Sequence, residues 1–162
     1  MERKPKKIPT AAEMLRRLAS LCARSEQCEA DIAQKIYRSG LSREEGNEIL
    51  SKLREGRFID DSRFARAFAS DKARFAGWGR LKIRQGLAAR RIPSAIVAQA
   101  LENIDEEEYM ATLRRCALAK ARSLDMGSRE DRMKLYRHLV SRGYESALAA
   151  ETVRGVTMSD KR

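Results

Sequence analysis

The sequence has little of what most catalytic and metal sites require. Its 162 residues include one histidine (His138) and three cysteines, Cys22, Cys28 and Cys116, which lack the paired spacing of a zinc site. No glycine-rich phosphate-binding loop occurs, so we expect no ATP hydrolysis by this chain. No set of residues indicates a Ser–His–Asp triad or another catalytic arrangement. We therefore predict a protein that is not an enzyme and that uses no catalytic residue, cofactor or metal.

Long apolar segments are also missing. No segment approaches the roughly 20 apolar residues that span a bilayer, and the basic N-terminus lacks the apolar core of a secretory signal. An odd, sparse set of cysteines is typical of reduced thiols rather than of a disulfide scaffold. These features predict a cytoplasmic protein with no membrane partner, and we expect a monomer.

Proline is scarce, and the abundant residues favour helices. The three prolines are Pro5, Pro9 and Pro93, and no segment shows sustained period-two alternation, so helix is predicted almost throughout. Helix N-terminal signals recur, including capping boxes that begin at Thr10 and Ser42. The predicted helices are 11–23, 27–39, 43–55, 62–75, 79–90, 94–103, 106–121, 129–141 and 145–154.

Apolar residues repeat with a period near 50 residues. The first set recurs 51 and then 52 residues later; the sets are Ile32, Ile36, Leu41; Ile83, Leu87, Ile92; and Leu135, Leu139, Tyr144. Glycine precedes the third residue in the first and last sets, as Gly40 and Gly143, and can adopt the left-handed conformation that ends a helix. Arg91 occupies that position in the middle set, so we predict a strained or different turn there.

This period indicates three tandem three-helix repeats. The predicted fold is all-α, an elongated and curved array of either hand; a compact helical bundle is the alternative. The predicted divisions are a basic flexible tail (1–10), repeat 1 (11–59), repeat 2 (60–105), repeat 3 (106–155) and a flexible tail (156–162).

Positive charge is concentrated in the middle of the chain. The formal net charge is +11, and residues 62–105 carry nine basic against three acidic side chains. Such a localised positive field favours a polyanionic partner, nucleic acid or a nucleoprotein first. A solvated basic face without a partner is the other interpretation.

The candidate binding residues are the basic side chains of this segment. On a helical wheel, Arg80, Arg84 and Arg91 fall within about 40° of one another. They are expected either to contact phosphates or an acidic groove, or to cover the edge of the core with their stems. The full candidate set is Arg63, Arg66, Lys72, Arg74, Arg80, Lys82, Arg84, Arg90 and Arg91.

One stretch resembles the RecX family, the regulators of the RecA recombinase. It comprises residues 58–65 (FIDDSRFA), residues 77–83 (GWGRLKI) and the later apolar positions of repeat 2. Residues 135–144 agree in the third repeat, and the first agrees more loosely. The residues that carry the family motif are Phe58, Ile59, Asp60, Asp61, Phe64, Gly77, Trp78, Ile83, Leu87 and Gly143. Family members commonly have Glu at position 86 and Gly at position 91, where this chain has Gly86 and Arg91. An interior glycine costs about 1 kcal/mol, so the middle helix should be less stable.

The resemblance implies a partner and a function. RecX-like proteins bind RecA filaments on single-stranded DNA and inhibit RecA ATPase, strand exchange and co-protease activity. The chain would therefore act in DNA repair, recombination and the SOS response, either along the filament groove or at filament ends. A direct DNA-binding protein of helix-turn-helix type is the alternative.

Several motif residues have both a structural and a functional interpretation. Phe58 and Ile59 are expected to fill the core between repeats, and Asp61 or Ser62 to cap the next helix. Trp78 is expected to pack against a neighbouring helix, with stacking on a base as the alternative. Residues 105–108 are expected to begin a helix, with mimicry of DNA phosphates as the alternative. His138 is expected at the surface or core edge.

Overall fold

The structure, a computed structural model, describes residues 7–159 and is helical. Nine helices occur among these residues, and no strand does. The helices are α1 (Ala11–Arg24), α2 (Glu29–Tyr37), α3 (Arg43–Glu55), α4 (Asp61–Arg74), α5 (Arg80–Ala89), α6 (Ser94–Glu102), α7 (Glu106–Ala121), α8 (Arg129–Ser141) and α9 (Ser146–Ser159). The all-helical prediction is confirmed. None of the described helices is long and apolar enough to cross a membrane.

Helix bounds agree with the sequence pattern to within two residues, except at one end. α9 continues to Ser159, whereas the pattern predicted its end at residue 154 and a flexible tail from residue 156. Val156 is buried, so the apolar face of α9 runs one turn further than the repeat register indicated. The predicted tail is therefore wrong for residues 156–159. Residues 1–6 and 160–162 of the two predicted tails lie outside the described residues.

Local hydrogen bonds explain where the helices begin. The Glu13 amide donates to Thr10 Oγ1 at 3.2 Å, and the Thr10 amide donates back to the Glu13 carboxylate at 2.9 Å. Ser42 and Glu45 form the same capping box at the start of α3. Both predicted boxes are confirmed, and they satisfy amide groups that the first helical turn leaves without partners.

The described chain divides into two compact units. Unit 1 contains residues 7–65 and 90–92, and unit 2 contains residues 66–89 and 93–159. In unit 1, α3 packs against both α1 and α2. The buried core of unit 1 includes Met14, Leu18, Ile32, Ile36, Ile49, Leu53 and Ile59. The division into three repeats stays a prediction.

In unit 2, α7, α8 and α9 pack against one another, and α5 packs against α6. The residues that the period selected on α5 and α8 are buried, namely Ile83, Leu87, Leu135 and Leu139. Tyr144, which follows the glycine turn, is also fully buried, and its ring lies 5.5 Å from that of Tyr109. The repeated apolar set is therefore a core pattern.

The helix-ending turns share one backbone conformation. Gly40 and Gly143 have φ values of 88° and 91°, and Arg91 has a φ of 58°. All three lie in the left-handed region, which disfavours a residue with a Cβ atom. Of the two predicted outcomes at Arg91, a strained or a different turn, the left-handed φ supports the strained one.

Candidate nucleoprotein-binding surface

The two aspartates of the family motif cap two different helices. The Arg63 amide donates to the Asp60 carboxylate at 3.0 Å, so Asp60 caps α4. Asp61 instead accepts from the Glu29 amide at 2.9 Å, at the start of α2, where Cys28 supplies no side-chain cap. The prediction that Asp61 or Ser62 caps α4 is wrong, because the Asp61 side chain turns to another helix of unit 1.

Neighbouring motif residues are also structural. Ile59 belongs to the core of unit 1, and Phe64 is buried. Phe58 is 39% exposed, which corrects its prediction as a core residue. Its ring lies against Gly56, where an added Cβ atom would come within 2.9 Å of it.

The glycines at 77, 79 and 143 hold the start of α5 against the α8–α9 turn. The Gly79 amide donates to the Arg142 carbonyl at 2.8 Å, and the Leu81 amide donates to the Gly143 carbonyl at 3.0 Å. A Cβ atom on Gly79 would overlap the Gly143 carbonyl, and one on Gly143 would overlap Lys82. The Arg142 guanidinium donates to the carbonyls of Ala76 and Gly77. This close approach of two backbones requires glycine.

Arg80 is part of a polar network rather than of an open basic surface. Its guanidinium pairs with Glu106 and with Glu145 and lies 4.1 Å from the centre of the Tyr109 ring. The Tyr109 hydroxyl accepts from the Arg80 amide and donates to Glu145 at 2.9 Å. Burial raises the pKa of the Tyr109 hydroxyl, which keeps the donating proton in place.

Ion pairs also neutralise other candidates. Arg63 pairs with Glu26 at 2.6 Å, Arg74 with Glu108 at 2.7 Å, and Arg90 with Asp31 at 3.6 Å. Asp105 caps α7 by accepting from the Glu108 amide. The acidic start of α7 is thus a helix cap whose next residues pair with Arg74 and Arg80.

Arg91 does not belong to the helix of Arg80 and Arg84, so the helical wheel that grouped the three residues does not apply to it. α5 ends at Ala89, and the left-handed backbone at Arg91 breaks the helical geometry on which the wheel depends. Arg66 and Arg84 are exposed and form no ion pair with any described residue. The structure therefore does not assemble the predicted stripe of three arginines.

What the structure does bring together is a group of four side chains, which we call the tryptophan cluster: Phe68, Lys72, Trp78 and Lys82. The Lys72 and Lys82 ammonium groups lie 4.9 and 4.6 Å from the centre of the Trp78 ring. Phe68 meets Trp78 edge-on at 6.2 Å. Trp78 is half-buried, so it packs as predicted. Neither lysine forms an ion pair with a described residue, so both retain an uncompensated positive charge beside an aromatic ring.

Gly86 completes the packing of this cluster. A Cβ atom at Gly86 would lie 3.0 Å from the Phe68 ring and 3.4 Å from the Trp78 ring. Glycine therefore lets the two aromatic rings approach α5 closely. Glycine at this position lowers the stability of the helix, as predicted, but it also permits this packing, which the sequence pattern did not reveal.

His138 is half-buried at the edge of the core. Burial, together with the positive charges of Arg142 and Lys120, lowers its pKa. Within the described residues, no group of three or more His, Cys, Asp or Glu side chains is placed to hold a metal ion. His138 thus belongs to the packing of α8.

These features define a class, a helical protein whose short helices meet, within unit 2, through backbone contacts that require glycine. A family model described as RecX, second three-helix domain, matches residues 60–101. The regulatory protein RecX of Prosthecochloris aestuarii is 31% identical over 128 residues, which cover 79% of this chain and 83% of that protein. The RecX of Chlorobaculum tepidum is 30% identical and covers 77% and 76% of the two chains.

A solved structure agrees with the fold. The crystal structure of RecX from Lactobacillus salivarius superposes with a TM-score of 0.79 at 15% identity, and covers 91% of this chain and 97% of that one. The chain belongs to the RecX family of regulatory proteins.

Proposed function

We propose that the protein binds RecA filaments assembled on single-stranded DNA and inhibits RecA ATPase, strand exchange and co-protease activity. Membership of the RecX family supports this function, as does the excess of positive charge in residues 62–105. In this proposal the chain regulates recombination and the SOS response by binding rather than by catalysis.

The observation that carries the proposal is the tryptophan cluster. Two ammonium groups lie on one aromatic ring, and neither has an acidic partner among the described residues. Lysines held by an aromatic ring are positioned before a partner arrives, which lowers the conformational entropy lost on binding. The cluster therefore presents fixed positive charges to phosphates or to acidic groups of the filament.

Inhibition requires that the protein prefer one state of the filament. A ligand that binds two states equally shifts nothing, whatever its affinity. We propose that the bound protein favours a filament state that is inactive in ATP turnover and restricts access of duplex DNA.

The test measures single-stranded-DNA-dependent ATP hydrolysis by RecA while the protein is titrated at near-physiological salt. Neutralising the cluster lysines (Lys72→Gln with Lys82→Gln) should raise the concentration for half-inhibition about tenfold. The matched control neutralises two exposed basic residues of unit 1 that form no ion pair with a described residue, Lys35→Gln with Arg38→Gln, and should inhibit as the native chain does. Charge reversal of Arg80 is not a clean test, because it would break the network with Glu106 and Glu145.

Two results would contradict the proposal. If the native chain, folded and in the presence of verified filaments, leaves ATP hydrolysis unchanged, the function is wrong. Equal inhibition by the cluster variant and the native chain would remove the tryptophan cluster from the binding surface.

The stoichiometry of inhibition distinguishes two modes of action. Inhibition well below one protein per RecA would favour action at filament ends, and inhibition only near saturation would favour coating of the groove.

Direct binding of duplex DNA is the second candidate, and one observation disfavours it. A helix that reads bases presents several polar side chains to the groove. The exposed positions of α6 are Ser94, Ala95, Ala98, Gln99 and Glu102, a surface with one amide and no basic side chain. A strong preference for one duplex in the absence of RecA would favour this candidate instead.

A further inference from the structure

An open apolar groove runs between α8 and α9 in unit 2. It has a volume of about 570 Å³, and its apolar lining includes Met133, Tyr136, Val153 and Met158. Met133 and Met158 are 41% and 73% exposed. Large apolar side chains that line a concave surface between two helices are typical of a groove that receives a third helix.

The charged side chains that line this groove are all arginines. They are Arg129 and Arg132 on α8 and Arg154 on α9, and none of the described acidic residues lines the groove. Arg129 and Arg154 form no ion pair with a described residue. Arg132 is held in place because its Nη1 donates to the carbonyls of Met126 and Gly127 at 3.0 and 2.8 Å. The apolar floor thus has a positive rim without acidic partners among the described residues, in which Arg132 is held in place.

We propose that the α8–α9 groove docks an amphipathic helix of a partner protein, with acidic residues on either side of its apolar stripe. Apolar side chains at positions i, i+3 or i+4, and i+7 of such a helix would contact the methionines and Tyr136. Its flanking carboxylates would pair with the arginines of the rim. This surface is separate from the tryptophan cluster, and the inference does not depend on the proposed function.

The same charges argue against other occupants. In a symmetric dimer formed through this groove, the arginines of one copy would lie close to those of the other, since such an interface is self-complementary. A nucleic acid would match the arginines but would leave the methionine floor without an apolar partner. An acidic amphipathic helix satisfies both the floor and the rim.

The probe for the test is a fluorescein-labelled 16-residue helical peptide with leucines on one face and glutamates on both edges of that face. A matched peptide has lysines in place of the glutamates. Fluorescence anisotropy with the full chain should show saturable binding of the glutamate peptide, with at least tenfold weaker binding of the lysine peptide. Equal affinity for the two peptides would overturn the proposal.

Two variants locate the site. Met133→Glu should weaken binding of the glutamate peptide at least tenfold. Its matched control is Leu118→Glu. Leu118 has a similar exposure (43%) and lies on the neighbouring α7–α9 groove, so this variant should bind the glutamate peptide as the native chain does. Arg129→Glu combined with Arg154→Glu, two exposed residues whose replacement spares the core, should reverse the preference toward the lysine peptide. Circular dichroism verifies that each variant is folded.

Three further results would overturn the inference. The glutamate peptide could bind Met133→Glu as tightly as the native chain, or a single-stranded oligonucleotide could displace the peptide. Sedimentation could also show a dimer of the native chain that Met133→Glu dissociates. The last would assign the groove to a second copy of the chain. None of these results depends on RecA, so failure here is distinguishable from failure of the proposed function.

Discussion

At the scale of single residues, the turn at Arg91 shows that the packing of the chain can impose a backbone conformation that the residue itself disfavours. Arg91 adopts the left-handed conformation that glycine adopts at the equivalent turns, with a φ of 58°. The sequence alone shows that Arg91 is an exception, because it occupies the repeat position at which the other two sets have Gly40 and Gly143. That the turn keeps the glycine conformation is a tertiary result, since Ile92 must still reach the core.

Replacing Arg91 with glycine should stabilise the protein. The free energy recovered by removing the left-handed strain should exceed the entropic cost of the more flexible unfolded chain. We therefore expect the free energy of unfolding to rise by about 1 kcal/mol, and Tm by roughly 2–4 °C. Circular dichroism during thermal unfolding measures this change in Tm. Arg91→Ala keeps the Cβ atom and is the control; a similar gain in that variant would show that strain is not the cause.

His138 should make stability depend on pH near neutrality. Its pKa in the folded protein is below the ordinary value of 6.5, through burial first and then the charges of Arg142 and Lys120. The unfolded chain therefore binds more protons as the pH falls below about 6.5, and the folded state loses stability through that range. Unfolding in urea at pH 7.5 and at pH 5.5 should show this loss, and His138→Gln should reduce it. An unchanged loss in the variant would assign the effect to other groups.

At the scale of helices, close backbone contact determines how elements meet. The start of α5 lies on the turn between α8 and α9 because residues 79 and 143 have no side chains. The sequence identified Gly77 and Gly143 as family residues, but not that the glycines of the two segments face each other. Contacts between positions so far apart in the chain cannot be inferred from periodicity alone.

Gly79→Ala should be severely destabilising. The new Cβ atom would overlap backbone atoms of Gly143, which cannot move as a flexible side chain can, so we expect a loss of about 3 kcal/mol or more. Gly155→Ala is the matched control, because no atom lies within 4 Å of its added Cβ. This helical control should gain about 0.5–1 kcal/mol. Equal Tm values for the two variants would contradict the glycine contact.

At the scale of the whole molecule, the distribution of free positive charge differs from the distribution of basic residues. The sequence assigned nine basic residues to one candidate surface. Ion pairs involve Arg63, Arg74, Arg80 and Arg90, whereas Arg66, Lys72, Lys82, Arg84 and Arg91 form none with the described residues.

Salt dependence of filament binding should distinguish these two sets. Replacing the free Arg84 with glutamine should lower the slope of log affinity against log salt by about 0.7–1, the value for one lost phosphate contact. Arg74→Gln should change the slope by much less, because Glu108 already neutralises Arg74. Binding to RecA filaments at 50–200 mM salt measures both. Equal slopes for the two variants would show that the ion pair does not restrict Arg74.

The sequence by itself determined the helices, their caps at Thr10 and Ser42, the apolar period and the exceptional turn at Arg91. The helices and their caps depend on hydrogen bonds and side-chain spacing within one or two helical turns, which local residue order specifies. The period and the exception at Arg91 are visible when positions about 50 residues apart in the sequence are compared. Only the tertiary structure decided that Asp61 caps α2, that Glu106 and Glu145 neutralise Arg80, and that arginines surround the α8–α9 groove. Each of these depends on which helix faces meet, and that is set by packing between residues far apart in the chain.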